Sequence, residues 1–102
     1  MSVIKVTNEN FSEIVEKEGV RAVVDFYADW CGPCKMFAPV FESLSEEMPD
    51  VVFCKINVDE SEELAIRFGV MSIPTVIAFK DGKSVAQNVG LAGKQKIIEM
   101  LG

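Results

Sequence analysis

Apolar residues recur along this chain in two rhythms, one suited to strands and one to helices, and the two alternate from end to end. Val3 to Val6 is short and β-branched and reads as a first strand. Thr7 and Asn8 then offer N-cap oxygens to a helix that carries Phe11, Ile14 and Val15 at helical spacing and ends at Gly19. Arg21 to Ala28 is nearly continuous in apolar and aromatic residues, the pattern of a central strand buried on both faces, with Asp25 as its exception. From Gly32 or Pro33 to about Met48, the residues Met36, Phe37, Val40, Phe41, Leu44 and Met48 recur every three or four positions. They mark a long amphipathic helix that Pro39 should kink. Val51 to Val58 is a third strand, and Glu60 to Phe68 a third helix stopped by Gly69. Thr75 to Lys80 and Lys83 to Val89 flank Asp81-Gly82, a pair that supplies the positive φ angles of a tight hairpin. Leu91 to Leu101 closes the chain as a helix.

The order β-α-β-α-β-α-β-β-α predicts an α/β fold with a central mixed sheet, parallel through the crossovers, antiparallel at the last hairpin, and flanked by helices on both faces. A length of 102 residues predicts one domain, 1–102.

Composition narrows the setting. Apolar residues make up 49% of the chain and charged residues 25%, a globular balance that excludes disordered, collagen-like and low-complexity readings. Ten Lys and Arg against sixteen Asp and Glu leave a net charge of −6. Such a field repels phosphate backbones and anionic lipid, so neither nucleic acid nor membrane is expected as a partner. Met1-Ser2-Val3-Ile4-Lys5 shows no basic region followed by an apolar stretch, and Asp25, Asp29, Lys55 and Lys80 break the most apolar segments. A cytoplasmic chain without leader or membrane span is the expectation. Three cysteines are too few, and odd in number, for a disulfide framework. Cys54 adjoins Lys55 on a strand, so the two point to opposite faces and Cys54 reads as a small core hydrophobe.

Cys31-Gly32-Pro33-Cys34 carries the candidate chemistry. Its spacing alone is a weak signal, since roughly 6% of shuffled chains with three cysteines would place two of them three apart. Position says more. The pair follows the buried strand and opens the long helix, so Cys31 sits where unpaired N–H groups and the positive end of the helix dipole favour a thiolate. The thiolate is the attacking species in thiol–disulfide exchange. One helical turn holds residues i and i+3 about 5 to 6 Å apart, within reach of a disulfide, so dithiol and disulfide fit one backbone. Gly32 lets another chain approach, and Pro33 stiffens the first turn without losing a hydrogen bond. Two blander readings compete. A closed zinc site needs four ligands, and with no histidine and only Cys54 to spare it would need a carboxylate or a second molecule. A pair of inert core thiols fits poorly beside Trp30, Gly32 and Pro33 at a helix start.

The run Val24-Asp25-Phe26-Tyr27-Ala28-Asp29-Trp30-Cys31-Gly32-Pro33-Cys34-Lys35-Met36, with Pro39 behind it, resembles the thioredoxin family. So do Lys55-Ile56-Asn57-Val58-Asp59, Ile73-Pro74-Thr75 and Phe79-Lys80-Asp81-Gly82, and the likeness runs essentially end to end. Gly-Pro between the cysteines separates the chain from related oxidases and isomerases, which usually carry a histidine there, and from glutaredoxins, which usually carry Pro-Tyr. The resemblance implies a thioredoxin fold and a protein-disulfide reductase and electron carrier. In it Cys31 attacks a substrate disulfide, and Cys34 resolves the mixed disulfide and leaves Cys31 bonded to Cys34.

Asp25, charged and unpaired in a buried strand, would be costly, so its pKa should be raised. The resemblance makes Asp25 the base that deprotonates Cys34 through water, with Lys55 on the neighbouring strand as its electrostatic partner. It also implies a cis Ile73-Pro74 bond against the disulfide, an extended substrate paired along Ser72 and Ile73, and a contact patch of Trp30, Gly32, Pro33, Ile73, Gly90 and Leu91. Tyr27 stands where many relatives carry a second tryptophan, and Met71-Ser72 is not the commonest pair before Ile-Pro; these departures bear on substrate preference more than on chemistry. No Gly-rich phosphate loop follows a strand, so no nicotinamide or flavin cofactor is expected on the chain and electrons must come from another protein. The resemblance implies a thioredoxin reductase, usually NADPH-linked, as donor, disulfide-containing proteins as substrates, and a monomer. Two other readings stay open: an oxidase or isomerase of the same fold, and a redox-independent protein-binding module.

Overall fold

In the computed structural model, which describes residues 3–102, β2 (Arg21–Tyr27) runs through the middle of the sheet with its inner five residues buried. The expectation that Met1 and Ser2 open a chain without a leader lies outside the described residues. Around β2 are arranged β1 (Val3–Lys5), β3 (Val52–Asn57), β4 (Thr75–Lys80) and β5 (Lys83–Val89), in the order β1-β3-β2-β4-β5. The pairs β1/β3 and β3/β2 are parallel, β2/β4 and β4/β5 antiparallel, so the sheet is mixed in the way the element order requires.

Alternation along the strands separates two apolar layers. Val23, Phe53, Val76 and Ala78 face α2 (Gly32–Glu47) and α4 (Lys94–Leu101), meeting Phe37, Phe41, Leu44, Ile97 and Met100. Val24, Phe26, Cys54, Ile56, Ile77 and Phe79 face the opposite way, toward α1 (Phe11–Ile14) and α3 (Glu62–Arg67), meeting Phe11 and Leu64. Each layer has an aromatic centre: Phe41 sits edge-on to Phe53 at 5.1 Å between ring centroids, and Phe68 edge-on to Phe79 at 5.2 Å. Truncating a fully buried member such as Phe41, Phe53 or Phe79 to alanine costs about 3–5 kcal/mol.

The helices depart from the periodicity at their ends. The first one spans only four residues and starts at Phe11, not after Thr7 or Asn8. Those residues form a turn instead, in which Asn10 Oδ1 accepts from the Thr7 amide at 2.7 Å and Thr7 Oγ1 from the Glu9 amide at 3.3 Å. The helix also stops well short of Gly19, whose N–H is taken by Asp81 Oδ1 at 2.6 Å from across the fold. The last helix begins at Lys94, three residues beyond Leu91, because Gly90 (φ 94°) turns the chain first. Met36, expected within the apolar stripe of α2, lies 68% exposed, flanking the face that Phe37, Phe41 and Leu44 bury. Pro39 lies within α2, whose span is continuous through it. At the hairpin Asp81 (φ 53°) and Gly82 (φ 80°) adopt the expected left-handed conformations. A shift of register between Ala78/Ala86 and Phe79/Ser84 leaves Val85 as an extra residue, a bulge on the outer strand β5.

Candidate active site

The carboxyl ends of β2 and β3 and the start of α2 converge on the cysteine pair. Cys31 is the N-cap residue of α2, in extended conformation (φ −90°, ψ 113°), and Gly32 and Pro33 form the first turn. Its Sγ accepts the Cys34 amide at 3.2 Å, one of the N–H groups that a helix start leaves without an intrahelical partner. A sulfur acting as cap in this way is stabilised most when it is anionic, which links the sequence position to a thiolate. Cys31 and Cys34 form a disulfide with their Cα atoms 5.2 Å apart. Each residue is only 4% exposed, and Gly32 and Pro33 between them are exposed.

Behind the pair lies a cleft of about 170 Å³ that reaches from Cys34 to Asp25 and Lys55, with Tyr27, Asp29 and Lys35 at its walls. That space is wide enough for a short chain of waters between the carboxyl and the sulfur. Asp25 is 5% exposed, and its Oδ1 has no hydrogen-bond partner among the described residues. Burial pushes its pKa from 3.8 up to about 7, against the opposing pull of Lys55. Lys55 lies beside Asp25 in the parallel register.

On the other side of the disulfide, the Ile73-Pro74 peptide bond is cis and the Ile73 carbonyl oxygen lies 3.9 Å from Cys31 Sγ. A groove of about 380 Å³ runs from Trp30 past Val58 and Val70 to Met71, Ser72 and Ile73. Trp30 is 71% exposed, yet its indole N–H donates to Asp59 Oδ2 at 2.8 Å, so the ring is held against the groove. Gly90 donates its N–H to the Pro74 carbonyl at 2.8 Å, which ties it to the cis-proline loop, and Leu91 after it is exposed. Asp59 is a site residue that the sequence reading misses, although it ends the Lys55–Asp59 run just past a strand terminus, where ligand-facing residues of α/β sheets gather. Cys54 is fully buried, and burial pushes its thiol up to about 12. Among the described residues no cluster of three metal-binding side chains forms, and no helix is long and apolar enough to cross a membrane.

A mixed α/β sheet that presents a redox cysteine pair as the cap of a helix, with a cis-proline loop across it, defines a thiol–disulfide oxidoreductase. The thioredoxin family model matches residues 2–102. The chain is 47% identical over 102 residues to the thioredoxin of Bacillus subtilis, covering 99% of this chain and 96% of the relative. It is 46% identical over 96 residues to that of Chlamydia muridarum, covering 94% and 92%. The chain belongs to the thioredoxin family. It works by dithiol–disulfide exchange and needs no bound cofactor, since the Cys31–Cys34 disulfide is itself the redox group.

Proposed function

We propose that the chain is a general protein-disulfide reductase in which Cys31 is the nucleophile, Cys34 the resolving thiol and Asp25 the proton acceptor. The Cys31 thiolate attacks one sulfur of a substrate disulfide, forming a mixed disulfide and expelling the other substrate sulfur as a thiolate. Asp25 takes the Cys34 proton through the water-sized cleft, Cys34 attacks Cys31 Sγ, and the second substrate sulfur leaves. Two electrons pass to the substrate and the Cys31–Cys34 disulfide remains. Lys55 steadies the carboxylate form of Asp25. Pro74 sets the loop that offers the Ile73 backbone to an extended substrate segment, and Trp30, Gly32, Pro33, Ile73, Gly90 and Leu91 supply its apolar contacts. The electron donor is a thioredoxin reductase, NADPH-linked, and the acceptors are disulfide-bearing proteins. Residues 1–102 act as one domain, monomeric and cytoplasmic.

The observation that carries this reading is that one cleft joins a buried acid to Cys34 while Cys31 alone caps the helix and faces the Ile73 carbonyl. Trapping tests it. Cys34→Ser should accumulate a mixed disulfide through Cys31, whereas Cys31→Ser should accumulate none; mixed disulfides through Cys34 would reverse the assignment. A reduction potential of about −270 mV, the figure typical of thioredoxins as a class, supports a reductant, and one of about −180 mV an isomerase or oxidase.

A further inference from the structure

Tyr27 lies two residues along β2 from Asp25, so their side chains share the face of the sheet turned toward α2. In the parallel register with β3, Lys55 sits beside Asp25 and Asn57 beside Tyr27. The Lys55 ammonium therefore has two neighbours that attract it, the Asp25 carboxyl directly across and the Tyr27 ring on the diagonal. It is found over the ring: Nζ lies 5.8 Å from the Tyr27 centroid, inside cation–π range, and no Asp25–Lys55 ion pair forms among the described residues.

The surrounding charges make this arrangement informative. On the far side of Lys55, β1 places Lys5 directly alongside. Repulsion from Lys5 would drive the ammonium toward Asp25, softened by the 2.8 Å ion pair of Lys5 with Glu60. From α2 the cleft receives Cys34 and Lys35, and from the loop after β2 it receives Asp29. The strand on the other side, β4, places only apolar Val76 beside Asp25. Asp29 is the other anion at this cleft, and among the described residues Lys55 forms no ion pair with it either, so the ring is where the ammonium settles.

We propose that Tyr27 is a positioning residue for disulfide exchange: its ring holds the Lys55 ammonium off Asp25, so that the carboxylate stays free to take the Cys34 proton. This rests on the assignment of Asp25 as proton acceptor. An ammonium brought into contact would stabilise the carboxylate further and make it a weaker base toward a thiol. A ring at position 27 thus acts on the chemistry, where the sequence pointed to substrate preference.

The test is the titration of the Asp25 carboxyl, followed by carbon-13 NMR in the oxidised protein, together with the pH profile of mixed-disulfide resolution. Tyr27→Leu should lower the carboxyl midpoint by about one pH unit, and the acid limb of the rate profile should move with it. Tyr27→Phe, which keeps the ring, should hold the wild-type midpoint. Tyr27→Val, equally ringless and suited to a strand, gives an independent second measurement should the Leu variant fold poorly. In a Lys55→Met background the same ringless changes should move nothing. An unmoved midpoint overturns the proposal, and so does a fall of equal size without Lys55, which would mean that the ring acts by excluding water. A midpoint that falls while the rate profile stays put upholds the hold on Lys55 and removes Asp25 as proton acceptor.

Discussion

Replacing Asp25 by Asn should stabilise the protein, and by an amount that depends on pH in a calculable way. Burial raises the carboxyl from 3.8 to about 7 in the folded state. Below about pH 4 the group is protonated in both folded and unfolded chains, and its contribution to stability is fully present. As the pH rises, the unfolded chain releases this proton first while the folded one keeps it, so stability falls until the folded carboxyl also ionises near 7 and then levels off. The gap between 3.8 and about 7 corresponds to roughly 4 kcal/mol lost by pH 8. The asparagine side chain has the shape of the neutral acid and no charge to bury, so the variant escapes that loss. Urea or thermal unfolding of the oxidised wild type and Asp25→Asn at pH 4, 6 and 8 reads the difference directly, other carboxylates cancelling between the two. The curves should nearly coincide at pH 4, and at pH 8 the variant should melt on the order of 20 °C higher. Disulfide turnover should fall by about tenfold or more, because the proposed proton acceptor is gone. A stability difference that does not change between pH 4 and pH 8 would refute the reasoning, since it would mean that Asp25 is not the buried titrating group.

Cys54 should resist alkylation in the native oxidised protein at pH 8 and react once the chain is unfolded, and Cys54→Ala should cost about 1–2 kcal/mol with turnover unchanged; native-state labelling at Cys54 would contradict its burial. Asp59→Ala frees the Trp30 indole and should raise KM for a protein disulfide severalfold with kcat nearly unchanged, whereas a fall in kcat alone would show that the bond serves the chemistry instead. Gly82→Ala should destabilise the hairpin by about 1–3 kcal/mol, since it forces a side chain to φ 80° and sets a Cβ 3.3 Å from Glu16 Cα, and an unaltered melting curve would count against that strain.

Where neighbours in sequence are also neighbours in space, the pattern of residues carried the structure. The buried run around Val24, the Asp81-Gly82 hairpin and the opening of α2 at Gly32 all follow from local chemistry, and each appears close to where periodicity puts it. The length of α1 does not follow, because the Gly19 amide is claimed by Asp81 from 62 positions away, a bond no window of residues contains. The exposure of Met36 turns on which side of α2 meets the sheet, and an apolar stripe with methionine at its margin leaves that angle open. At the site, the cysteine pair and Asp25 stand out by type and setting. The seat of Lys55 on Tyr27 follows from strand register, and the bond from Trp30 to Asp59 joins the turns that leave β2 and β3; neither pairing lies within one window of sequence.

The two outer strands bear on how such a molecule survives its work. A reductant meets chains that are partly unfolded and have extended segments to spare, and any open ladder of backbone N–H and C=O groups invites them to pair and stay. Here one edge, β1, offers three residues, and the other, β5, is interrupted by the Val85 bulge and studded with Lys83 and Gln87. Neither presents a long flat rim. In the proposed function the short stretch at Ser72 and Ile73, beside the sulfurs, is the place where a visiting strand docks, and brevity there favours release. Both edges of the sheet thus give an aggregating chain little template to extend.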